Sequence, residues 1–151
     1  MKRRTIFAFC LSLVAVPTLA GEHRATKDEA VAFVNRAVAH LKVNGAAKAL
    51  ADFNDPKGKF IDGELYVVVV DLQGNVLANG ANHKLVGKNL LQIRDLDGKY
   101  FVREQIEIAN TKGAGWVEFR WNNPVTSKME LRQFYLVRNE NYFVGSGVFK
   151  P

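Results

Sequence analysis

The chain has 151 residues, is 48% hydrophobic and 24% charged, and carries a formal net charge of +6. That length suits about one ordinary domain with a sizeable core of its own. Half of the net charge comes from Lys2, Arg3 and Arg4, and the remaining Lys and Arg are scattered among acids, which argues for a solvated surface and against a nucleic-acid partner.

Residues 1–20 read as a signal peptide. A basic start (Lys2, Arg3, Arg4) precedes an apolar run from Thr5 to Val16, Pro17 breaks it, and small residues lead to Ala20, where cleavage is expected. The apolar run is too short for a bilayer span, which takes roughly 20 residues. The only cysteine, Cys10, lies in this segment, so residues 21–151 have no thiol for a disulfide, a nucleophile or a metal site. The expected location is therefore periplasmic or secreted, with a domain held by its apolar core.

Thr26-Lys-Asp-Glu29 has capping-box spacing, and Ala30, Phe33, Val34, Ala37, Val38 and Leu41 recur at helical period behind it. Gly45 is the expected stop, followed by a second short helix over 46–53 and a turn at Asn54-Asp-Pro56. Leu65 to Val70 is an unbroken apolar run rich in β-branched residues, the pattern of a strand covered on both faces. Asp71 to Asn75 turns the chain, and Val76-Leu-Ala78 returns as a hairpin partner.

Residues 79–98 show no sustained period and predict a loop with one helical turn near 89–91. A connection of that length is usually functional. A helix over 99–111 follows, with Asp97 as its expected cap, and then three strands at 116–121, 129–138 and 142–149. Gly145 and Gly147 share one face of the last strand, a mark of something approaching closely. The order predicts an α+β fold: an antiparallel sheet of about five strands, an N-terminal helix, and a loop-plus-helix lid.

Chemistry-bearing motifs are sparse. His23, His40 and His83 have no second ligand at metal spacing, and Ser127 and Ser146 sit in no nucleophile elbow. Asp95 and Asp97 read as turn and cap residues. The expectation is no enzyme activity, no catalytic residue, no metal and no cofactor.

An ordered set of segments does carry a signal: Leu65-Tyr66-Val67, Asp71-Leu-Gln-Gly74, Val76-Leu-Ala78, Leu85-Val-Gly-Lys-Asn-Leu-Leu91, Asp95-Leu-Asp-Gly98, Phe101-Val-Arg103, Gly113 to Trp116, Trp121 to Pro124, and Gly145-Ser-Gly147. Together they resemble the single-Cache domain, a PAS-like sensor fold found outside the membrane in chemotaxis receptors and sensor kinases. The resemblance spans about residues 60–149, within a domain of 21–151. It implies a pocket between the sheet and residues 79–112, with a small organic acid as ligand.

On that resemblance Arg132 is the first candidate for anion contact, because a guanidinium holds a carboxylate by two parallel hydrogen bonds. Tyr135, Trp121, Arg103, Asn79, Tyr66 and Tyr100 are the further ligand-binding candidates. Two positions depart from the family pattern: Asn79 stands where members often have His, and Arg132 where they often have Lys. Receptors of this type continue into a membrane helix and a signalling module, whereas this sequence ends at Pro151. The expected role is thus ligand recognition in signal transduction or chemotaxis through a partner, such as a membrane receptor or sensor kinase. A homodimer through the N-terminal helix is a further expected contact. The alternative is a partner-docking protein with the same fold and no ligand.

Overall fold

The computed structural model describes residues 23–150. The signal-peptide segment and its cleavage point after Ala20 lie outside the described residues. Among the described residues, no helix is long and apolar enough to cross a membrane.

Helix α1 (Lys27–Asn44) begins where the capping box places it. The Glu29 amide donates to Thr26 Oγ1 at 3.2 Å, and Thr26 N–H donates back to the Glu29 carboxylate at 2.7 Å. Two otherwise orphaned donors at the helix start are thereby satisfied. Gly45, at φ 78°, ends α1 and lets α2 (Ala46–Asn54) leave in a new direction. Short strands β1 (Ile61–Asp62) and β2 (Leu65–Tyr66) pair with each other in a two-stranded ribbon.

The main sheet comprises β3 (Val68–Asp71), β4 (Val76–Asn79), β5 (Ala114–Asn122), β6 (Met129–Asn139) and β7 (Tyr142–Lys150). Its spatial order is β4-β3-β7-β6-β5, antiparallel throughout. The run from Leu65 to Val70 is therefore not one strand. It divides at Val67 between the ribbon and the sheet.

The unbroken apolar character of that run has a direct cause, because both faces of the sheet carry a core. Val67 and Val69 pack with Ala30, Phe33, Ala37 and Leu41 of α1 and with Val144 and Val148 of β7. Val68 and Val70 point the other way, into Phe101, Val102, Phe119, Phe134 and Phe143. The second face is covered by residues 80–100 and by α3 (Phe101–Thr111). Full burial of each such valine contributes about 1.5–3 kcal/mol.

The lid differs from expectation at two points. Its helical turn is a 3₁₀ turn at His83–Leu85, not at 89–91. Asn89 instead forms a bridge to Asn75, with its Nδ2 donating to Gln73 O at 2.8 Å and Asn75 Oδ1 at 2.9 Å. Nor does Asp97 cap α3, whose N-cap is Tyr100 without a side-chain bond. Asp97 pairs with Arg120 at 3.2 Å, and the Asp95 carboxylate accepts the amides of Asp97, Lys99 and Arg120, tying the lid to β5.

The two glycines of β7 make room for the neighbouring strand, Gly145 for a side chain and Gly147 for backbone. A Cβ at Gly145 would lie 2.3 Å from the Phe134 ring, and one at Gly147 would lie 2.3 Å from Gln133 O. Because the Gly147 obstacle is backbone, Gly147→Ala is expected to cost about 1–3 kcal/mol, read as a lowered urea midpoint.

At one end of the sheet, Arg24 holds Glu130 with bonds of 2.8 and 3.3 Å. This pairing, despite the opposing effect of burial, and further hydrogen bonds from Asn123 and Thr126 depress the Glu130 pKa from 4.5 to about 2. A depressed carboxylate stabilises the fold above its unfolded pKa and loses that contribution as pH falls towards the folded one. Wild type is therefore expected to lose stability between about pH 4.5 and 2, with a shallower loss in Glu130→Gln, measured by urea unfolding at each pH.

Candidate functional site

The site lies under the lid, between the inner face of the sheet and α3. A cavity of about 30 Å³ is lined there by Val68, Val70 and Val76 from the hairpin, Leu85 and Leu90 from the lid, and Phe101, Val102 and Gln105 from α3. Phe119 and Trp121 of β5, Arg132 and Phe134 of β6, and Asn79 at the end of β4 complete the wall. The space holds about one water molecule. It is apolar except for Asn79, Gln105, the Trp121 indole N–H and the Arg132 guanidinium.

Arg132 is the unusual member. It is 2% exposed, and its Nε and Nη2 have no hydrogen-bond partner among the described residues. Its guanidinium carbon lies 4.3 Å from the centre of the Tyr66 ring, 4.9 Å from Phe134 and 5.2 Å from Phe149. Three aromatic faces stabilise the cation without satisfying its donors. Burial pushes its pKa down, opposed by Tyr66 and Glu64, yet a guanidinium stays charged at any ordinary pH. Burial likewise raises the Tyr66 hydroxyl pKa, against the opposing pull of Arg132 and a hydrogen bond with Trp121.

The sequence candidates divide by strand parity and helix face. Arg132, Asn79 and Trp121 line the cavity, and Tyr66 lies directly behind Arg132. Asn79 also serves its own turn, its Oδ1 accepting from the amides of Ala81 and Asn82 at 3.1 and 2.9 Å. Tyr135 stands on the opposite sheet face, 5.2 Å from the Trp116 ring, because residues three apart on a strand point opposite ways.

Arg103 and Tyr100 belong to a clasp on the outer surface of the lid. Arg103 lies 3.9 Å from the centre of the Tyr100 ring and donates to Leu91 O and Gln92 Oε1 at 2.8 and 2.7 Å. Arg94 covers the same ring at 4.3 Å and bonds the Tyr100 hydroxyl. The clasp holds the lid to the start of α3 and contributes no atom to the cavity wall.

Gln105 is a wall residue that the sequence reading missed. It is 3% exposed and follows Phe101 by one helical turn. A polar residue on the apolar stripe of an amphipathic helix is the signal that would have found it. A larger cleft of about 470 Å³ opens between α1 and the β1–β2 ribbon. It is bordered by exposed charges, among them Glu29, which is already bonded to Thr26 and His23.

A buried cation with two unused donors is costly in an empty cavity. Arg132→Met is therefore expected to stabilise the ligand-free protein by about 1–3 kcal/mol in urea unfolding. A loss of several kcal/mol would show that the guanidinium is structurally satisfied.

Residues 47–149 match the model of the Cache domain family, dCache_2. Over 90 residues the chain is 32% identical to the methyl-accepting chemotaxis protein McpP of Pseudomonas putida, covering 58% of this chain and 16% of that protein. The chain thus corresponds to a small part of that relative. Among solved structures, a methyl-accepting chemotaxis protein from Vibrio parahaemolyticus superposes with a TM-score of 0.69 at 22% identity, covering 82% of this chain and 87% of the other. A Cache chemosensory domain described for its carboxylic acid recognition superposes at 0.64 with 23% identity, over 82% and 88% of the two chains. At such identities the structural likeness speaks for the fold alone.

Proposed function

The chain belongs to the Cache domain family and has its PAS-like α+β fold, and on that premise we propose that it is an extracytoplasmic sensor-type domain that binds a small organic acid. The observation that carries this reading is the buried Arg132, which offers two unused donors to an apolar cavity. A carboxylate accepts both at once in a charge-assisted bidentate pair. Asn79, Gln105 and Trp121 are placed to contact the ligand's remaining atoms, with Tyr66 as the platform that orients Arg132.

The cavity as described holds about one water, so a ligand enters by displacing the lid. Opening breaks lid contacts, and the bond between carboxylate and Arg132 offsets that loss only in the closed state. A short acid fits this balance best, because each added carbon demands further expansion of a packed core. The sensor role is signal transduction or chemotaxis through a membrane receptor or sensor kinase, from a periplasmic or secreted location after cleavage near Ala20. The small cavity also favours the alternative, a partner-docking protein with no ligand.

A thermal-shift series with formate, acetate, propionate, lactate and pyruvate separates the two. A ligand that binds only the folded state adds about 2.7 kcal/mol at a hundredfold excess over its dissociation constant. The expected result is a raised melting temperature with at least one short acid, absent in Arg132→Ala that still melts cooperatively. No shift with any of them on a cooperatively melting wild type would favour the docking reading.

A further inference from the structure

Two buried carboxylates stand together at one end of the sheet. Glu64 is 5% exposed and Glu130 is 4% exposed, and Asn123, fully buried, donates its Nδ2 to both at 3.3 and 2.8 Å. Arg24, immediately before α1, bonds Glu130 and places Nη1 3.6 Å from Glu64 Oε2. The two acids therefore share one cation from the segment leading into α1.

Glu64 also reaches towards the cavity. Its Oε1 accepts from the Ala25 amide at 3.2 Å on the α1 side and from the Phe149 amide at 3.4 Å on the sheet side. Phe149 is the register partner of Arg132, and its ring flanks the Arg132 guanidinium at 5.2 Å. Glu64 and Tyr66 are two residues apart along the ribbon, and Tyr66 forms the other flank of the same guanidinium at 4.3 Å. One carboxylate thus bonds both the strap before α1 and the backbone amide of Phe149, whose ring flanks Arg132.

We propose that Glu64 is shared between Arg132 and Arg24, so that an anion bound at Arg132 tightens the strap before α1 and the strap in turn sets the affinity of the cavity. This rests on the organic-acid reading and assigns its regulation. Glu64, Glu130, Arg24 and Arg132 balance to zero without ligand. In a poorly screened interior, a carboxylate arriving at Arg132 weakens that residue's hold on Glu64 and leaves Glu64 more fully to Arg24. Linkage requires the reverse: loss of Arg24 turns the charge of Glu64 towards Arg132, where it opposes the incoming anion. The coupling runs from Arg132 by its register partner Phe149, whose amide donates to Glu64, to Arg24 ahead of α1.

Two measurements on the full chain test it. In calorimetric titrations with acetate, Arg24→Gln is expected to weaken binding about fivefold or more. The double variant Arg24→Gln/Glu64→Gln is expected to bind no more weakly than Glu64→Gln alone. An Arg24→Gln affinity within twofold of wild type, or an equal loss with and without Glu64, overturns the relay while leaving the acid reading intact. The second measurement needs no ligand: in Arg132→Met, amide exchange at Ala25 is expected to slow, because Glu64 then answers only to Arg24. Slowed exchange at Ala25 in Arg132→Met, together with a wild type that does not bind acetate, sustains the relay and counts against the acid reading. Unchanged exchange at Ala25 overturns the relay whether or not acetate binds.

Discussion

A buried guanidinium with no partner among the described residues for two of its nitrogens is the constraint around which the rest of the described structure is arranged. The lid and α3 leave beside Arg132 a space of only about 30 Å³, room for about one water molecule. Three aromatic rings stabilise the charge, and Arg132 lines a small, largely apolar space. On the proposed reading, such an arrangement stores unfavourable free energy that an anion of the right size would release, so that affinity would derive from a defect held in place by the fold.

The fold supplies that hold by coring both faces of one sheet. On one face α1 and α2 pack over Val67, Val69, Val144 and Val148 and make a rigid floor. On the other, Phe101 stacks on Phe119 at 4.2 Å and Phe134 crosses Phe143, leaving only a narrow gap beside Arg132. Gly145 and Gly147 allow Phe134 to lie against β7, and that ring in turn flanks Arg132. The outer clasp of Arg94, Tyr100 and Arg103 then fastens the lid. The cavity wall and the fastening of the lid are therefore supplied by separate groups of residues.

Much of this was legible in the sequence, and the failures have physical causes. The capping box at Thr26 and Glu29, the turn at Asp71 and the three-stranded end of the chain are local patterns, and they formed where expected. The division of the valine run at Val67 is not local, because an apolar residue in a twisted ribbon and one in a main sheet look alike. Asn89 offered a turn in sequence but found a better partner in Asn75, which only the folded hairpin presents. At the site, Arg132 was named from the family position it occupies and from the fit of a guanidinium to a carboxylate. Tyr135 was grouped with it by family spacing, although strand parity alone sets it on the far face. Gln105 needed only its helical phase to be noticed, and Glu64 could not be tied to Arg132 before Phe149 was known to lie between them.

The most direct test observes the Arg132 Nε–H itself by nitrogen-15 NMR during titration with acetate, assigned by its loss in Arg132→Met. The account predicts a large, saturable downfield displacement of that one guanidinium resonance, as its unused donor meets a carboxylate. A resonance that stays in place while the rest of the spectrum reports acetate binding would put the ligand elsewhere and contradict the account.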